Sequence, residues 1–353
     1  MDYLKNDVSL SESLSLYSLP LSELMQMAHE IRMNLHPDNE VTWLIDRNVN
    51  ITNVCKVHCA FCNFCRTKQS KDAYITCMNE YRGKINELYA IGGEQLLLQG
   101  GLHPDLGLNF YETLYRELKA EFPALKLHSL GPAEVFYLAQ KENVSIEHVL
   151  NRLIDAGLDS LPGAGAEILS NRVRKIISPA KCSADEWLQV MRVAHKKRLV
   201  TSATMMFGHI ETMEERMQHL IYLRDLQSQK PENAPGFLNF VLWPVQLKGT
   251  RLSKKYDLKP VSGSEYIRML CISRIVLQNI PHIQPSWLTV GKDIAQVCLH
   301  AGADDMGSVM MEENVVSSAG AEKCTIQIDE MKQMISKAGF IPRQRNQMFE
   351  KID

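Results

Sequence analysis

No run of this chain stays apolar for the ~20 residues that a membrane-spanning helix requires, so bilayer insertion is not expected. Neither sign of charge prevails: 39 Lys and Arg stand against 41 Asp and Glu, a formal net charge of −2. A chain so balanced lacks the basic field needed to bind a nucleic-acid backbone or an anionic bilayer surface. Low-complexity tracts are missing, and after residue 40 no long Gly/Ser or Pro linker marks a flexible joint. A disulfide framework is missing too. Nine cysteines is an odd number, and Cys77, Cys182, Cys271, Cys298 and Cys324 are scattered singly, which is the usage of a reducing compartment. The opening "MDYLKNDVSLSESLSLYSLP" carries Asp2, Asp7 and Glu12 and no continuous apolar segment. It does not read as a secretory signal, and a cytoplasmic location is the expectation.

What is present suits a large folded chain. At 353 residues it can bury a sizeable core without covalent staples, as one large barrel or two average domains. Residues 1–40 read as a short helical extension: in "LPLSELMQMAHEIRMNLHPD" Leu21, Leu24, Met25, Ala28 and Ile31 share a helical face, and Pro37 closes it. From residue 41 a short β-rich run repeatedly precedes an amphipathic stretch. The strand candidates are Val41–Ile51, Glu94–Gln99, Leu125–Leu130, Asp159–Pro162, Val200–Phe207, Phe237–Gln246, His282–Trp287 and Ala303–Ser308. Eight βα units predict an α/β fold with a parallel sheet, and a (β/α)8 TIM-type barrel over 41–340 fits them better than an open sheet. Residues 341–353 are expected to form a tail.

The densest feature is "NVCKVHCAFCNFC". Cys55, Cys59 and Cys62 follow a C-x-x-x-C-x-x-C spacing, with Cys65 three residues on. A structural zinc site needs four ligands, usually as two separated pairs, and no second Cys/His pair follows. A redox dithiol leaves the third thiol unexplained, and buried inert thiols suit the five scattered cysteines better. Thiolates are the ligands of iron–sulfur clusters. Three on one short loop hold three irons of a four-iron cluster and leave the fourth open to another molecule. Cys65 is either a fourth ligand, which would make an electron carrier or sensor with no open iron, or a bystander.

That spacing, with Phe61 just before the third Cys and the whole set between a first strand and a series of βα units, resembles the radical S-adenosylmethionine (SAM) superfamily. "VTWLIDRNVNITNVCKVHCAFCNF", "LLLQGGLHPDL", "LPGAGAEIL", "NRVRKIISPAKCSADEWLQVMRVAH", "ATMMFGHIETMEER" and "SVMMEENVVSSAGA" resemble its menaquinone-biosynthesis branch, the futalosine pathway, over about residues 20 to 345. The resemblance implies a barrel of the radical SAM kind, with a 4Fe-4S cluster on Cys55, Cys59 and Cys62 and SAM on its open iron. Gly92, Gly93 and Glu94 look like the superfamily's GGE motif, which meets the methionine ammonium. Gly163 and Gly165 would permit a tight turn that lets Glu167 reach a ribose hydroxyl. Gly208 with Glu211 fits the adenine-side G-x-x-E pattern, and Met205, Met206 and Phe207 fit barrel core or adenine wall.

The activity implied is cyclisation of dehypoxanthine futalosine: a deoxyadenosyl radical takes a ribose hydrogen and the sugar radical adds to the benzoate ring. Loss of an electron and a proton then restores aromaticity. A reductant such as flavodoxin or ferredoxin is implied as partner. Sister activities remain open, of the aminofutalosine synthase type or the tyrosine-using deazaflavin synthase type. Candidates to face the substrate, at strand C-terminal ends where barrel enzymes keep their chemistry, are Gln99, His103, His128, Ser129, Gln246, Gln284, Ser286, Asp305 and Glu313. Adjacent residues of a strand point to opposite sides, so only one of Asp304 and Asp305 is expected in the lumen. "RVRK" (172–175) reads as a solvated helix face.

Overall fold

The computed structural model describes residues 7–319 and 325–352. Among the described residues ten strands run in chain order: β1 (Glu40–Leu44), β2 (Asp46–Asn50), β3 (Gln95–Gln99), β4 (Lys126–Ser129), β5 (Ser160–Leu161), β6 (Val200–Phe207), β7 (Gly236–Pro244), β8 (His282–Pro285), β9 (Asp305–Ser308) and β10 (Ile341–Gln344). Strands β2 to β8 form one parallel sheet in sequence order, and a second parallel sheet has the order β10-β1-β9. Only Ile45 separates β1 from β2, so the first strand expected over 41–51 is one extended run shared between two sheets. The Asp304 N–H donates to the Ile283 carbonyl (3.1 Å) and the Thr42 N–H to the Asp304 carbonyl (3.0 Å). These bonds join the start of β8 to the residue before β9 and to β1, so the curled sheet is bridged across its base. Each of the eight expected βα units is present, as the α/β barrel reading requires.

The strands are legible because a parallel sheet covered by helices is buried on both faces. On β4, Leu127 and Ser129 are buried toward the helices, while His128, between them, faces the lumen. Helices Leu10–Leu16 and Leu21–Leu35 are not a separate unit: Leu16, Leu24, Met27, Ala28 and Ile31 belong to the same continuous core as the barrel. Met27 takes the central place expected of Met25, which is only partly buried. Buried Arg32 donates to the Glu40 carbonyl (2.8 Å) and lies over the Phe340 ring, which ties this extension to β1.

The stretch 341–353, expected as a tail, opens instead with β10, paired in register with β1 from Glu40↔Ile341 to Trp43↔Gln344. Pro342 hides the strand in the sequence, but an edge strand tolerates proline. Beyond it, Arg345 gives Nε to Asp305 Oδ2 (2.6 Å) and Nη2 to Oδ1 (3.0 Å), while the Thr42 hydroxyl donates to Oδ2 (2.6 Å). Asp305 and Arg345 are both buried. Asp305→Asn leaves that guanidinium without its counter-charge, at a cost of about 3–5 kcal/mol. A clear fall in the urea midpoint of the variant, measured anaerobically, is the expected result.

Candidate active site

The loop after β2 is held on three sides by main-chain bonds. Toward the end of β3, the Gly101 N–H donates to the Thr52 carbonyl (2.8 Å) and the Lys56 N–H to the Leu102 carbonyl (3.0 Å). The Ala60 N–H donates to the Ile177 carbonyl (2.7 Å), and Ala60 in turn accepts from the Leu252 N–H (2.8 Å). Side chains fix the loop's start and end: Asn53 donates to the Asp72 carbonyl (2.7 Å) and accepts from the Tyr74 N–H (3.0 Å). This places Cys55, Cys59 and Cys62 together on the wall of a cavity of about 420 Å³ that runs down the barrel lumen.

The surroundings of the thiols are apolar. Val57, Cys59 and Leu102 form a small buried cluster against which Cys55, Phe61, Cys62 and Tyr137 pack. Burial pushes the Cys59 thiol up to about 12. Cys65 also reaches the cavity wall, but its thiol sits 3.2 Å from the Cys55 carbonyl and 3.1 Å from His58 Nδ1. Gly101 has no room for a side chain: a Cβ there would lie 2.2 Å from the Val54 carbonyl oxygen and 2.7 Å from Cys55 Cβ. The end of β3 therefore approaches the cysteine loop as closely as backbone allows.

Charged groups gather beside the thiols. Glu167, in a left-handed conformation (φ 47°), accepts from Lys181 Nζ at 2.7 Å. Burial alone would lower the Lys181 ammonium, but Cys59, Glu167 and Glu134 around it more than offset that and hold it above its ordinary value. Lys181 Nζ also lies over the Phe61 ring (5.6 Å). Glu134, in the first turn of helix Pro132–Glu142, accepts from the Gly131 N–H (3.0 Å); burial pushes its carboxyl up to about 7, against the pull of Lys181. All three line the cavity. Arg174 shapes this wall from behind, donating to the carbonyls of Gly165 (3.0 Å), Ala166 (2.7 Å) and Cys182 (2.8 Å). It is buried, whereas Arg172 and Lys175 are exposed, so the solvated face expected of "RVRK" holds for two of its three basic residues.

Of the residues singled out in the sequence, Cys55, Cys59, Phe61, Cys62, Gln99, His128, Glu167, Gln284, Ser286 and Glu313 line this one cavity. The others do not. Gly92, Gly93 and Glu94 precede β3 and so lie at the opposite rim from the cysteines, which follow β2, its parallel neighbour. There Gly92 and Gly93 close helix Met78–Ala90, donating to the carbonyls of Tyr89 and Leu88. Glu211 is occupied by its own turn, accepting from the N–H groups of Gly208 (2.6 Å) and His209 (2.9 Å) and from Arg216 Nε (2.8 Å). His103 Nδ1 accepts from the Asp105 N–H (3.1 Å) and closes a turn. Ser129 faces a helix, where the Tyr115 hydroxyl donates to it (2.5 Å). Gln246 donates to the Pro244 carbonyl (3.1 Å). Asp305 holds Arg345, and Asp304 meets Arg274 and His282 on the far side of the strand. Glu313, though on the wall, accepts from the N–H groups of Val315, Val316 and Ser317 (2.7–2.8 Å) and anchors its loop.

Sequence reasoning missed Glu134, Lys181 and the C-terminal residues Arg345, Gln347 and Phe349, all on the cavity wall. It also passed over Gly100 and Gly101 as a motif, although a Gly-Gly pair ending a strand is a readable sign of close backbone approach.

Fold and site together define a barrel enzyme whose lumen opens onto a loop bearing three thiols. Residues 49–223 match the Radical SAM superfamily, and residues 234–353 match the CofH/MqnC C-terminal region. The chain is 40% identical to the cyclic dehypoxanthine futalosine synthase of Streptomyces coelicolor, over 98% of this chain and 86% of that one. It is 37% identical to 5-amino-6-(D-ribitylamino)uracil–L-tyrosine 4-hydroxyphenyl transferase 1 of Methanosarcina acetivorans, over 97% and 90%. The fold superposes on methylornithine synthase (PylB) with a TM-score of 0.71, at 16% identity, over 97% and 95% of the two chains. The chain belongs to the radical SAM superfamily and is a radical SAM enzyme of the CofH/MqnC kind. Membership implies a 4Fe-4S cluster and SAM, and the unpaired thiols of Cys55, Cys59 and Cys62 in their apolar cup are the donor set such a cluster takes. Among the described residues no helix is long and apolar enough to cross a membrane.

Proposed function

We propose that the chain cyclises dehypoxanthine futalosine to cyclic dehypoxanthine futalosine, a step of menaquinone biosynthesis. The observation that carries this is the 40% identity to a cyclic dehypoxanthine futalosine synthase over 98% of the chain. In this reading Cys55, Cys59 and Cys62 hold the cluster with one iron open, and Cys65 is spare. A cluster held there would leave one iron for SAM and would supply the electron that cleaves it to methionine and a deoxyadenosyl radical.

The chain's own residues bind and orient. Lys181 faces the SAM carboxylate and Glu167 a ribose hydroxyl. Glu134, with the closely approaching Gln99–Gly101 backbone, takes the place at the methionine ammonium that the sequence suggested for Gly92, Gly93 and Glu94. A carboxylate paired with an ammonium is a strong charge-assisted contact. Glu134→Gln is therefore expected to raise the SAM KM by about 10- to 100-fold, the loss of one charged hydrogen bond. Glu94→Gln is expected to leave it within about twofold, because that side chain lies on the far rim. Both are read as deoxyadenosine formation under dithionite. The apolar cup excludes water from a site where a carbon radical must meet only its substrate.

Abstraction of a ribose hydrogen releases deoxyadenosine. The sugar radical forms a C–C bond to the benzoate ring, and one electron and one proton must then leave to an acceptor and a base. A flavodoxin or ferredoxin supplies the reducing electron. The 37% identity to a 4-hydroxyphenyl transferase favours a second reading, in which tyrosine supplies the aryl group to a ribityl-diaminouracil. Product analysis decides between them. Anaerobic reconstitution with iron and sulfide, then reductant and SAM, is expected to give deoxyadenosine and the spirocyclic product with dehypoxanthine futalosine. An aryl-transfer product from tyrosine and the diaminouracil, or an adenosyl adduct from a carboxyvinyloxy-benzoate, would overturn the cyclase reading.

A further inference from the structure

We propose that the C-terminal segment sets the tautomer of His128, so that its Nε2–H stands on the lumen wall as a neutral donor to the ring carboxylate of the substrate. The occupant rests on the cyclase reading above; the relay does not. His128 on β4 is paired in register with Ser160 on β5. Ser160 Oγ receives the amide N–H of Gln347 and stands 2.5 Å from His128 Nδ1. A serine hydroxyl has one proton. With Gln347 donating into one of its lone pairs and no other acceptor against it among the described residues, Ser160 gives that proton to Nδ1, which assigns Nδ1 as the unprotonated nitrogen. The ring's remaining hydrogen is on Nε2, which has no partner in the described structure while the ring itself lines the cavity.

Burial, with Arg345 nearby, pushes His128 down to about 3, so the imidazole is neutral at physiological pH and offers one N–H only. Arg345 lines the same cavity. Its bonds to Asp305 and to the Asn346 carbonyl leave N–H hydrogens on both terminal nitrogens. Its guanidinium lies over the Phe349 ring (3.6 Å), which stacks on His282 (4.0 Å), and this fixes the segment that carries Gln347. Donors from both residues on the wall of one cavity, with the nearby carboxylate of Asp305 already paired, suit an anionic oxygen. In the substrate that group is the carboxylate on the ring.

The relay is read directly from long-range proton–nitrogen correlations of histidine-labelled holoenzyme with its cluster oxidised. Wild type is expected to show His128 with Nδ1 unprotonated. In Gln347→Glu the new carboxylate only accepts, so Ser160 turns its proton to it and His128 reverses tautomer. Kinetics read the occupant. The KM for dehypoxanthine futalosine is expected to rise about tenfold, one hydrogen bond, in His128→Leu and Gln347→Glu. His128→Gln, whose amide keeps an N–H there, should stay within about threefold. A substrate analogue without the ring carboxylate should cost wild type about tenfold more than it costs His128→Leu, because the His128 bond is removed by either change. An Nδ1–H tautomer in wild type, equal losses in His128→Gln and His128→Leu, or additive losses with the analogue would each overturn the proposal. The spectra need no turnover, and product identity comes from wild type alone, so failure of the relay and failure of the cyclase reading are separate results.

Discussion

Cys59→Ala, reconstituted anaerobically with iron and sulfide, is expected to retain roughly a tenth of the wild-type iron or less, since Cys55 and Cys62 alone do not hold a four-iron cluster. It should form no measurable deoxyadenosine. Cys65→Ala is expected to bind a full cluster and to cleave SAM at the wild-type rate. The contrast follows from where the sulfurs sit. Cys59 is buried between Val57 and Leu102, with Cys55 and Cys62 packed against the same cup. Cys65 lies outside that cup, its thiol engaged with His58 and the Cys55 carbonyl. The measurement is iron and sulfide content together with the visible absorption of each variant. Loss of the cluster in Cys65→Ala as well as in Cys59→Ala would point to a four-cysteine electron carrier and end the radical-enzyme reading of this loop.

The barrel was legible because its strands are short apolar runs followed by amphipathic stretches, a pattern that burial on both faces imposes. The cysteines were legible because one loop carries them all. Lys181, Glu134 and Gln347 were not, because they come from three separate segments that no spacing connects. Lys181 follows a short helix and Glu134 opens another, and each reads locally as an ordinary surface residue. Only folding puts the ammonium between Cys59, Glu167 and Glu134. Alternation along a strand correctly set Asp304 and Asp305 on opposite sides. It could not show that Asp305 faces Arg345, the residue after β10, a strand whose proline conceals it.

The misplacement of Gly92–Glu94 has the same origin. β3 is five residues long, about 16 Å at 3.3 Å per residue, and has a Gly-Gly pair before it and another after it. A motif read without strand direction can land at either end. In a parallel barrel the ends are different surfaces, and only the C-terminal one meets the loop after β2.

Gly101→Ala tests that distinction most severely. A Cβ at Gly101 would meet the Val54 carbonyl oxygen at 2.2 Å and Cys55 Cβ at 2.7 Å, and neither can yield like a flexible side chain. Val54 and Cys55 are held in place, the latter by its N–H to the Arg66 carbonyl (3.0 Å). Relief therefore requires the cysteine loop to move off the end of β3, breaking the Gly101–Thr52 and Lys56–Leu102 bonds that position it. Overpacking of this kind costs about 1–3 kcal/mol or more, and here it falls on the spacing of the thiols. The variant is expected to fold with a lowered urea midpoint, to take up little iron, and to lose deoxyadenosine formation by about 100-fold or more, some 2.7 kcal/mol of transition-state stabilisation or of assembled site. Gly92→Ala is the control on the other rim. Its Cβ meets nothing within 4 Å, and only its left-handed backbone (φ 80°) resists substitution, at about 1–2 kcal/mol. That variant should lose some stability while keeping full iron and its wild-type SAM KM. A Gly101→Ala protein with an intact cluster, or a Gly92→Ala protein with a weakened SAM site, would return the cofactor to the rim that the sequence motif first suggested.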